Sequence, residues 1–309
     1  MPRAALLSIH ARVEGTGPSA LEDPSLVQLW GPRFSAYVVA APDVAVFSLG
    51  RLPTDDQGRR RADDTAARLH AFLAGRTMTY GEAGRGLGRN PNGLRFGATT
   101  GTILIRWDGA RQPTVWTVPP PTMEAAEARL ELVRRHLHVF GPTTAMAFAR
   151  WAGVKPPRAR AAFDGLAAAG ALEPVRTPIG DAWILTGDEA ALRDAGEAAT
   201  RGAAEAARGI AEGARFLPSG DAYFLLWGAD RELLVAEPER RATLWTSRVW
   251  PGALLLGGEL VGTWRRAEAD LAIEPWRPLS PSERDIVEAE ARTLPLPGIG
   301  DRIRVRWLD

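Results

Sequence analysis

The sequence predicts an α+β chain: two helical units, each closed by a β-hairpin, in tandem, then a β-rich C-terminal domain. Three observations predict it. A stretch with helical apolar spacing, Thr122 to His138, is followed by two shorter helical segments and two short apolar runs around a turn. A segment with the same order of signals precedes it. After residue 214 the helical texture gives way to short apolar runs punctuated by glycine and proline.

Before the first unit, Val38-Val39 and Val44 to Phe47 read as buried elements. Asp64 to Ala74 then reads as a helix with Leu69, Phe72 and Leu73 on its apolar side. Tyr80 to Leu87 is expected as a short second helix, Arg89 to Gly93 as a turn and Leu94 to Gly101 as a third helix. Thr102–Trp107 and Val115–Val118 flank Asp108-Gly109, a strong hairpin signal.

In the second unit Met123, Ala126, Leu130, Val133 and Leu137 recur at steps of three and four. Pro119-Pro120-Pro121 bounds that helix on one side and Gly141-Pro142 on the other. A threonine cap at Thr143-Thr144 opens a second helix, and Gly153-Val154 makes a turn. Pro156-Pro157 begins a third helix carrying Ala159, Ala162, Phe163 and Leu166 on one face. Leu172–Val175 and Trp183–Leu185 are expected as strands around the turn Thr177–Asp181. Three helices and a hairpin in this order are the winged helix-turn-helix pattern.

The expected division is 1–121 for the N-terminal winged-helix unit, 122–186 for the second, 187–213 for a helical connector and 214–309 for the β-rich domain. In the last part strands are expected at Phe224–Trp227, Leu233–Val235, Ala253–Leu256, Leu260–Trp264 and Ile303–Trp307, with Gly257-Gly258 as a tight turn and a helix from Ser282 to Ala291. Arg304 and Arg306 alternate with apolar residues on the final strand.

Composition excludes several classes of chemistry. Of 309 residues, 45% are apolar and 24% charged, the profile of a globular protein. No apolar run reaches the length of a membrane span, and the N-terminus lacks a signal-peptide pattern, so a cytoplasmic location is expected. A monomer is expected. Without cysteine there is no thiolate metal site or cysteine nucleophile, and His136 and His138 are two apart, on different sides of a helix. A phosphate loop and a Gly-x-Ser-x-Gly elbow are absent. No metal or organic cofactor is expected.

Charge is distributed unevenly around a net value of +1. Residues 129–160 hold seven basic side chains against Glu131 alone, and residues 76–112 hold six arginines against Glu82 and Asp108. Such clusters attract polyanions while the molecule stays near neutrality. In a winged unit the third helix enters the major groove and the wing touches the backbone. The candidate DNA contacts are therefore Lys155, Arg158 and Arg160 with Arg176 on the wing, and Arg89 and Arg95 with Arg106 on the wing; Asn92, Thr99, Thr100 and Arg111 accompany the latter. Two further arginines, Arg248 and Arg265, adjoin Trp250 and Trp264, either as a rim that stacks on nucleic acid or as a solvated edge around core tryptophans. Asp221, after Leu217-Pro218-Ser219-Gly220, is expected to cap a turn.

Four sets of short strings, in order, resemble the AlkZ-like DNA glycosylases. They are Leu29-Trp30-Gly31-Pro32-Arg33 with Tyr37-Val38-Val39; Phe140-Gly141-Pro142-Thr143-Thr144 with residues 148–153; Arg215-Phe216-Leu217-Pro218 with Asp221 and Tyr223; and residues 258–265. The resemblance spans nearly the whole chain. It implies tandem winged helices on a β-rich support, double-stranded DNA bearing alkylated or crosslinked bases as partner, and release of the base by hydrolysis of its N-glycosidic bond. N7-alkylated guanine is cationic and leaves readily, so a polar amide or carboxylate that steadies the sugar cation and places water suffices, with binding energy used to expose the lesion.

The sequence departs from the family at the catalytic motif, which is Gln–apolar–Gln or Gln–apolar–Asp. Gln28, Gln57 and Gln112 do not fit it, and no catalytic residue carries over. In relatives the motif lies just before a segment resembling residues 2–12, so an upstream start, with Met1 internal, is expected; the other reading is a member without the motif. A winged-helix transcription regulator without enzymatic activity and a protein-interaction module are the competing functions.

Overall fold

The computed structural model describes residues 2–107, 112–200, 213–296, 298 and 303–308. The expected Asp108-Gly109 turn, Arg111 and most of the second half of the helical connector lie outside the described residues. The chain forms two compact units, Glu22–Gly187 and Arg3–Leu21 with Asp188–Asp309. Its first helix, α1 (Pro2–His10), thus belongs with the C-terminal unit rather than with the segment that follows it.

The N-terminal unit is built on a five-stranded sheet. Strands β1 (Leu26–Trp30) and β2 (Ala36–Ala40) are antiparallel, and α2 (Val44–Leu49) follows them. Helix α3 (Asp56–Leu73) starts eight residues before the sequence suggests. Asp55 sets that start, accepting a hydrogen bond from Gly58 N to cap the first turn. Strand β3 (Met78–Thr79) leads into α4 (Tyr80–Gly86), opened by a capping box between Thr79 and Glu82.

The expected third helix, Leu94–Gly101, is corrected: Pro91–Thr100 is a 3₁₀ run. Two features favour the tighter winding. Thr99 and Thr100 donate their hydroxyls to carbonyls three residues back, Phe96 O and Gly97 O. Gly97 also lies so close to α3 that a Cβ would sit 3.1 Å from Ala66 N. Strands β4 (Ile103–Arg106) and β5 (Thr114–Thr117) complete the sheet in the order β2-β1-β4-β5-β3. One face, with Trp30, Ile103, Ile105 and Val115, packs on α3 through Ala66, Leu69 and Leu73; the other buries Leu29, Val39 and Leu104 beneath Val44 and Phe47.

The rest of this unit is α5 (Ala125–Phe140), α6 (Ala145–Ala152), α7 (Pro156–Ala168) and the hairpin β6 (Leu172–Thr177) with β7 (Gly180–Leu185). Thr144 caps α6 by accepting from Ala147 N, and Gly153, at φ 70°, ends it in the left-handed region. Phe148, Phe163, Leu132, Leu137 and Leu166 form the buried seam between the helices.

His136 lies inside that seam, 3% exposed, ringed by Phe140, Phe148 and Trp151 with centroids 4.8–5.2 Å away. Among the described residues neither ring nitrogen has a hydrogen-bond partner, and burial pushes its pKa down to about 3. The unfolded chain protonates the same side chain near 6.5. Stability is therefore full above 6.5 and falls by about 1.4 kcal/mol per unit as pH drops through that window. Replacing an orphaned polar ring by an apolar one of similar size is expected to be neutral or stabilising at neutral pH. Urea unfolding of His136→Phe should match or exceed the parent near pH 7.5, and should escape about 2 kcal/mol of the parent's loss between pH 6.5 and 5.

In the C-terminal unit, after α8 (Glu189–Thr200), strands β8 (Ala214–Leu217), β9 (Gly252–Leu256), β10 (Glu259–Ala267), β11 (Asp270–Pro275) and β12 (Arg304–Trp307) form a sheet in reverse chain order. All pairs are antiparallel except β11–β12, which is parallel. Gly257 and Gly258, both at positive φ, make the tight β9–β10 turn. The expected strands at Phe224–Trp227 and Leu233–Val235 are corrected to 3₁₀ turns at Ala222–Phe224 and Gly228–Leu233. Their apolar residues satisfy burial without pairing: Phe224, Leu226, Leu234 and Val235 pack around Leu244 and Trp245 of α9 (Pro238–Leu244) and its cap. Helix α10 (Pro281–Thr293) opens on a capping box between Ser280 and Glu283, and its Val287 and Ala291 pack on the sheet.

Leu7 of α1 and Ala11 just beyond it, four residues apart, enter the two cores of this unit. Asp221 fixes them there. It caps its turn as expected, accepting from Tyr223 N, and it also accepts from Ser8 Oγ at 2.6 Å and from both terminal nitrogens of Arg12 at 2.9 and 2.7 Å. The carboxylate is buried, and its hydrogen bond raises the pKa of Arg12 above the ordinary arginine value against the effect of burial. Asp221→Ala should cost about 3 kcal/mol in urea unfolding, because several donors lose one acceptor. Asp221→Asn, which keeps one oxygen to accept from Tyr223 N but turns an NH2 toward Ser8 and Arg12 in place of the other, should cost less than Asp221→Ala.

Candidate nucleic-acid interface

The sequence-predicted contacts separate into solvent-facing and internally engaged groups. On α7 and its hairpin, Arg160 is exposed, Lys155 is exposed beside Asp55 at 3.1 Å, and Arg176 forms an open pair with Asp181 at 3.3 Å. Pairs this exposed contribute little to stability and exchange readily for other anions. Arg158 differs: it donates to Arg51 O at 3.0 Å and Gly50 O at 2.8 Å, the carbonyls at the end of α2.

In the preceding helices and hairpin, Arg106 is exposed. Arg89 donates to Asp64 at 2.8 Å and Thr65 at 3.2 Å, while Arg95 lies over the rings of Trp30 and Tyr80 at 6.0 and 5.9 Å. Asn92 accepts from Tyr80 OH, and the hydroxyls of Thr99 and Thr100 are bonded within their own turn.

In the C-terminal unit Trp264 is a core residue whose Nε1 donates to Leu217 O, and Trp250 is half-buried against Phe224 and Trp227. Arg231 lies over Trp245 and Trp250 at 5.0 and 5.3 Å. Arg248 is exposed next to Val249, which is 68% exposed. Both Nη atoms of Arg265 and Thr246 Oγ1 donate to Val249 O, so the loop presenting this Arg-Val pair is braced from behind.

Sequence reasoning missed a cleft of about 770 Å³ in the N-terminal unit. Basic groups from four segments line it: Arg51, Arg61, Arg129, and Lys155 with Arg158. Asp55 is its one acidic lining residue. Arg51 is 4% exposed and donates to Trp30 O and Ala152 O. Burial lowers its pKa to about 10, and Arg158 falls to about 10 through burial and the nearby charges of Arg129 and Arg51. Local charge counts flagged this stretch as basic, but only the fold brings Arg51 and Arg61 up to Arg129 and Arg158. Among the described residues, no group of three or more histidine, aspartate or glutamate side chains is placed to hold a metal, and no helix is long and apolar enough to cross a membrane.

Among solved structures the chain is similar to the Streptomyces sahachiroi DNA glycosylase AlkZ, with a TM-score of 0.71 at 18% identity over 99% of this chain and 89% of that one. That likeness establishes a shared mixed α and β fold. A family model for AlkZ-like DNA glycosylases matches residues 1–295, and the chain belongs to that family. No curated protein matches it.

The internal hydrogen bonds of Arg158 make it a structural cation first. Arg158→Ala would strand two carbonyls at the end of α2, and should cost about 2 kcal/mol by urea unfolding. The same change at Arg160, which is exposed, should shift stability by less than about 0.5 kcal/mol.

Proposed function

We propose that this chain acts in DNA repair by binding double-stranded DNA that carries alkylated or crosslinked bases. Each half of the N-terminal unit is read as a winged helix, with α7 and the β6–β7 hairpin as the groove-entering helix and wing of the second. The observation that carries the reading is the presentation of Lys155, Arg160 and Arg176 to solvent along one helix–hairpin element of an AlkZ-like family member. Arg106 extends the proposed contacts of this unit and Arg248 is proposed as a contact of the C-terminal unit, while Arg89, Arg95 and Arg158, and Arg265 in the C-terminal unit, are read as holding their surroundings in shape.

The duplex supplies phosphates, which exposed guanidinium and ammonium groups bind without regard to sequence. Selectivity then comes from the lesion, because a damaged or weakly stacked base costs less to expose. No residue of this chain is assigned to bond cleavage. Gln28 is buried, and its Oε1 accepts from Trp107 N at 2.9 Å to hold β1 beside β4. Gln57 lines the cationic cleft, and Gln112 packs on Gly81.

Fluorescence anisotropy with a short duplex, with and without a central abasic-site analogue, across a salt series, tests the proposal. Tighter, salt-sensitive binding to the abasic duplex is expected. Equal binding to both duplexes would favour a regulator, and no binding to either would overturn the DNA reading. Lys155→Ala, Arg160→Ala and Arg176→Ala should each weaken binding to both duplexes and lower the salt slope by about one.

A further inference from the structure

We infer that the cleft lined by Arg51, Arg61, Arg129 and Arg158 is a binding site for a phosphate group, monoester or diester, with an adjoining aromatic wall for a planar ring. The inference does not rest on the repair reading; it rests on an imbalance of charge that the protein itself leaves uncompensated. Five basic side chains face one carboxylate, and that carboxylate, Asp55, already accepts from Lys155 and from Gly58 N. Buried or half-buried cations are normally paired, because desolvation without a partner is costly.

The guanidinium donors here are incompletely used. Among the described residues, Nε of Arg129 and Nε of Arg158 are buried without a hydrogen-bond acceptor. Burial lowers the pKa of Arg129, and Arg129 and Arg51 both act against the charge on Arg158. Arginine presents planar, directional donors that match tetrahedral oxyanions, and an anion placed among these groups would relieve their mutual repulsion.

The rings of Phe34 and Phe96 line the cleft beside these arginines. Phe34 and Phe96 meet edge to face at 5.3 Å, Arg61 lies over Phe96 at 3.4 Å, and Arg51 lies over Phe34 at 4.9 Å. Phe34 is held there by an uncommon backbone: Arg33 and Phe34 both adopt positive φ, 53° and 57°. Conformations of this kind persist in non-glycine residues only where surrounding structure enforces them. Gly153 packs against this turn so closely that a Cβ there would sit 3.2 Å from Arg33 Cα. The volume of about 770 Å³ accommodates a mononucleotide, within the usual span for small-molecule sites. The phosphate could come from a DNA strand or from a free nucleotide, and the chemistry is the same.

The test uses the full 309-residue chain. Thermal unfolding and calorimetric titration are run with sodium phosphate and with dAMP, against sodium chloride at equal ionic strength. Phosphate should raise the melting temperature where chloride does not, and dAMP should bind at least tenfold more tightly than phosphate. Arg129→Gln should reduce both affinities at least tenfold while its ligand-free melting temperature equals or exceeds the parent's, since one repelling charge is gone. Phe96→Leu should erase most of the preference for dAMP and leave phosphate binding in place. Competition of dAMP with a short duplex, lost in Arg129→Gln, would identify a DNA strand as the source; duplex binding indifferent to dAMP and to this substitution would identify a free nucleotide. Absence of stabilisation by phosphate and dAMP in the parent, or an Arg129→Gln protein that responds as the parent does, would overturn the inference. These outcomes are independent of whether the chain distinguishes damaged from intact duplex.

Discussion

The N-terminal unit depends on arginines bonded to backbone carbonyls rather than to acids. Arg158 of α7 holds the carbonyls of Gly50 and Arg51, and Arg51 in turn holds those of Trp30 and Ala152. Four pieces of chain, the ends of β1, α2 and α6 and the start of α7, are joined through two planar cations. Helix and strand ends leave carbonyls without partners of their own, so this linkage satisfies polar groups that burial would otherwise penalise. It also concentrates positive charge in one place. The shape of the cleft and its electrostatic character therefore have a common cause, and neither can be altered without the other.

Much of the second helical group was legible because its local signals agree. The apolar spacing of α5, the Thr144 cap, the Gly153 turn and the proline start of α7 all specify the same boundaries that packing uses. The ordered strings shared with AlkZ-like proteins likewise identified the family. The segment Pro91–Thr100 was misread because its apolar residues suit any helical winding, whereas the choice between windings lies in threonine back-bonding and in the closeness of Gly97 to α3. The leucine-rich runs after Phe224 resemble strands in composition, yet short apolar runs do not distinguish pairing from burial in turns. The cleft was illegible for a different reason. Arg51 and Arg129 are 78 residues apart in the chain, and nothing local to either reveals the other.

A net charge of +1 conceals two kinds of arginine. Some, such as Arg59, Arg135 and Arg193, pair with acids one helical turn away and contribute mainly to solubility. Others stack on aromatic rings or hold carbonyls, tasks for which a compact ammonium is poorly suited. The almost complete use of arginine over lysine thus has structural consequences whatever its origin: Arg231 over Trp245 and Trp250, and Arg61 over Phe96, are contacts that a lysine would make less well.

The attachment of α1 to Asp221 has a consequence for biosynthesis. Ser8 precedes its acceptor by 213 residues, so α1 leaves the ribosome long before the carboxylate exists. At about 5–20 residues per second, translation of that interval takes on the order of ten to forty seconds. During it the segment between, including the whole of Glu22–Gly187, can complete its fold, while Leu7 and Ala11 remain without the surface that will bury them. The C-terminal unit is therefore closed by a helix made well before the strands it packs on, and its assembly waits on the intervening chain.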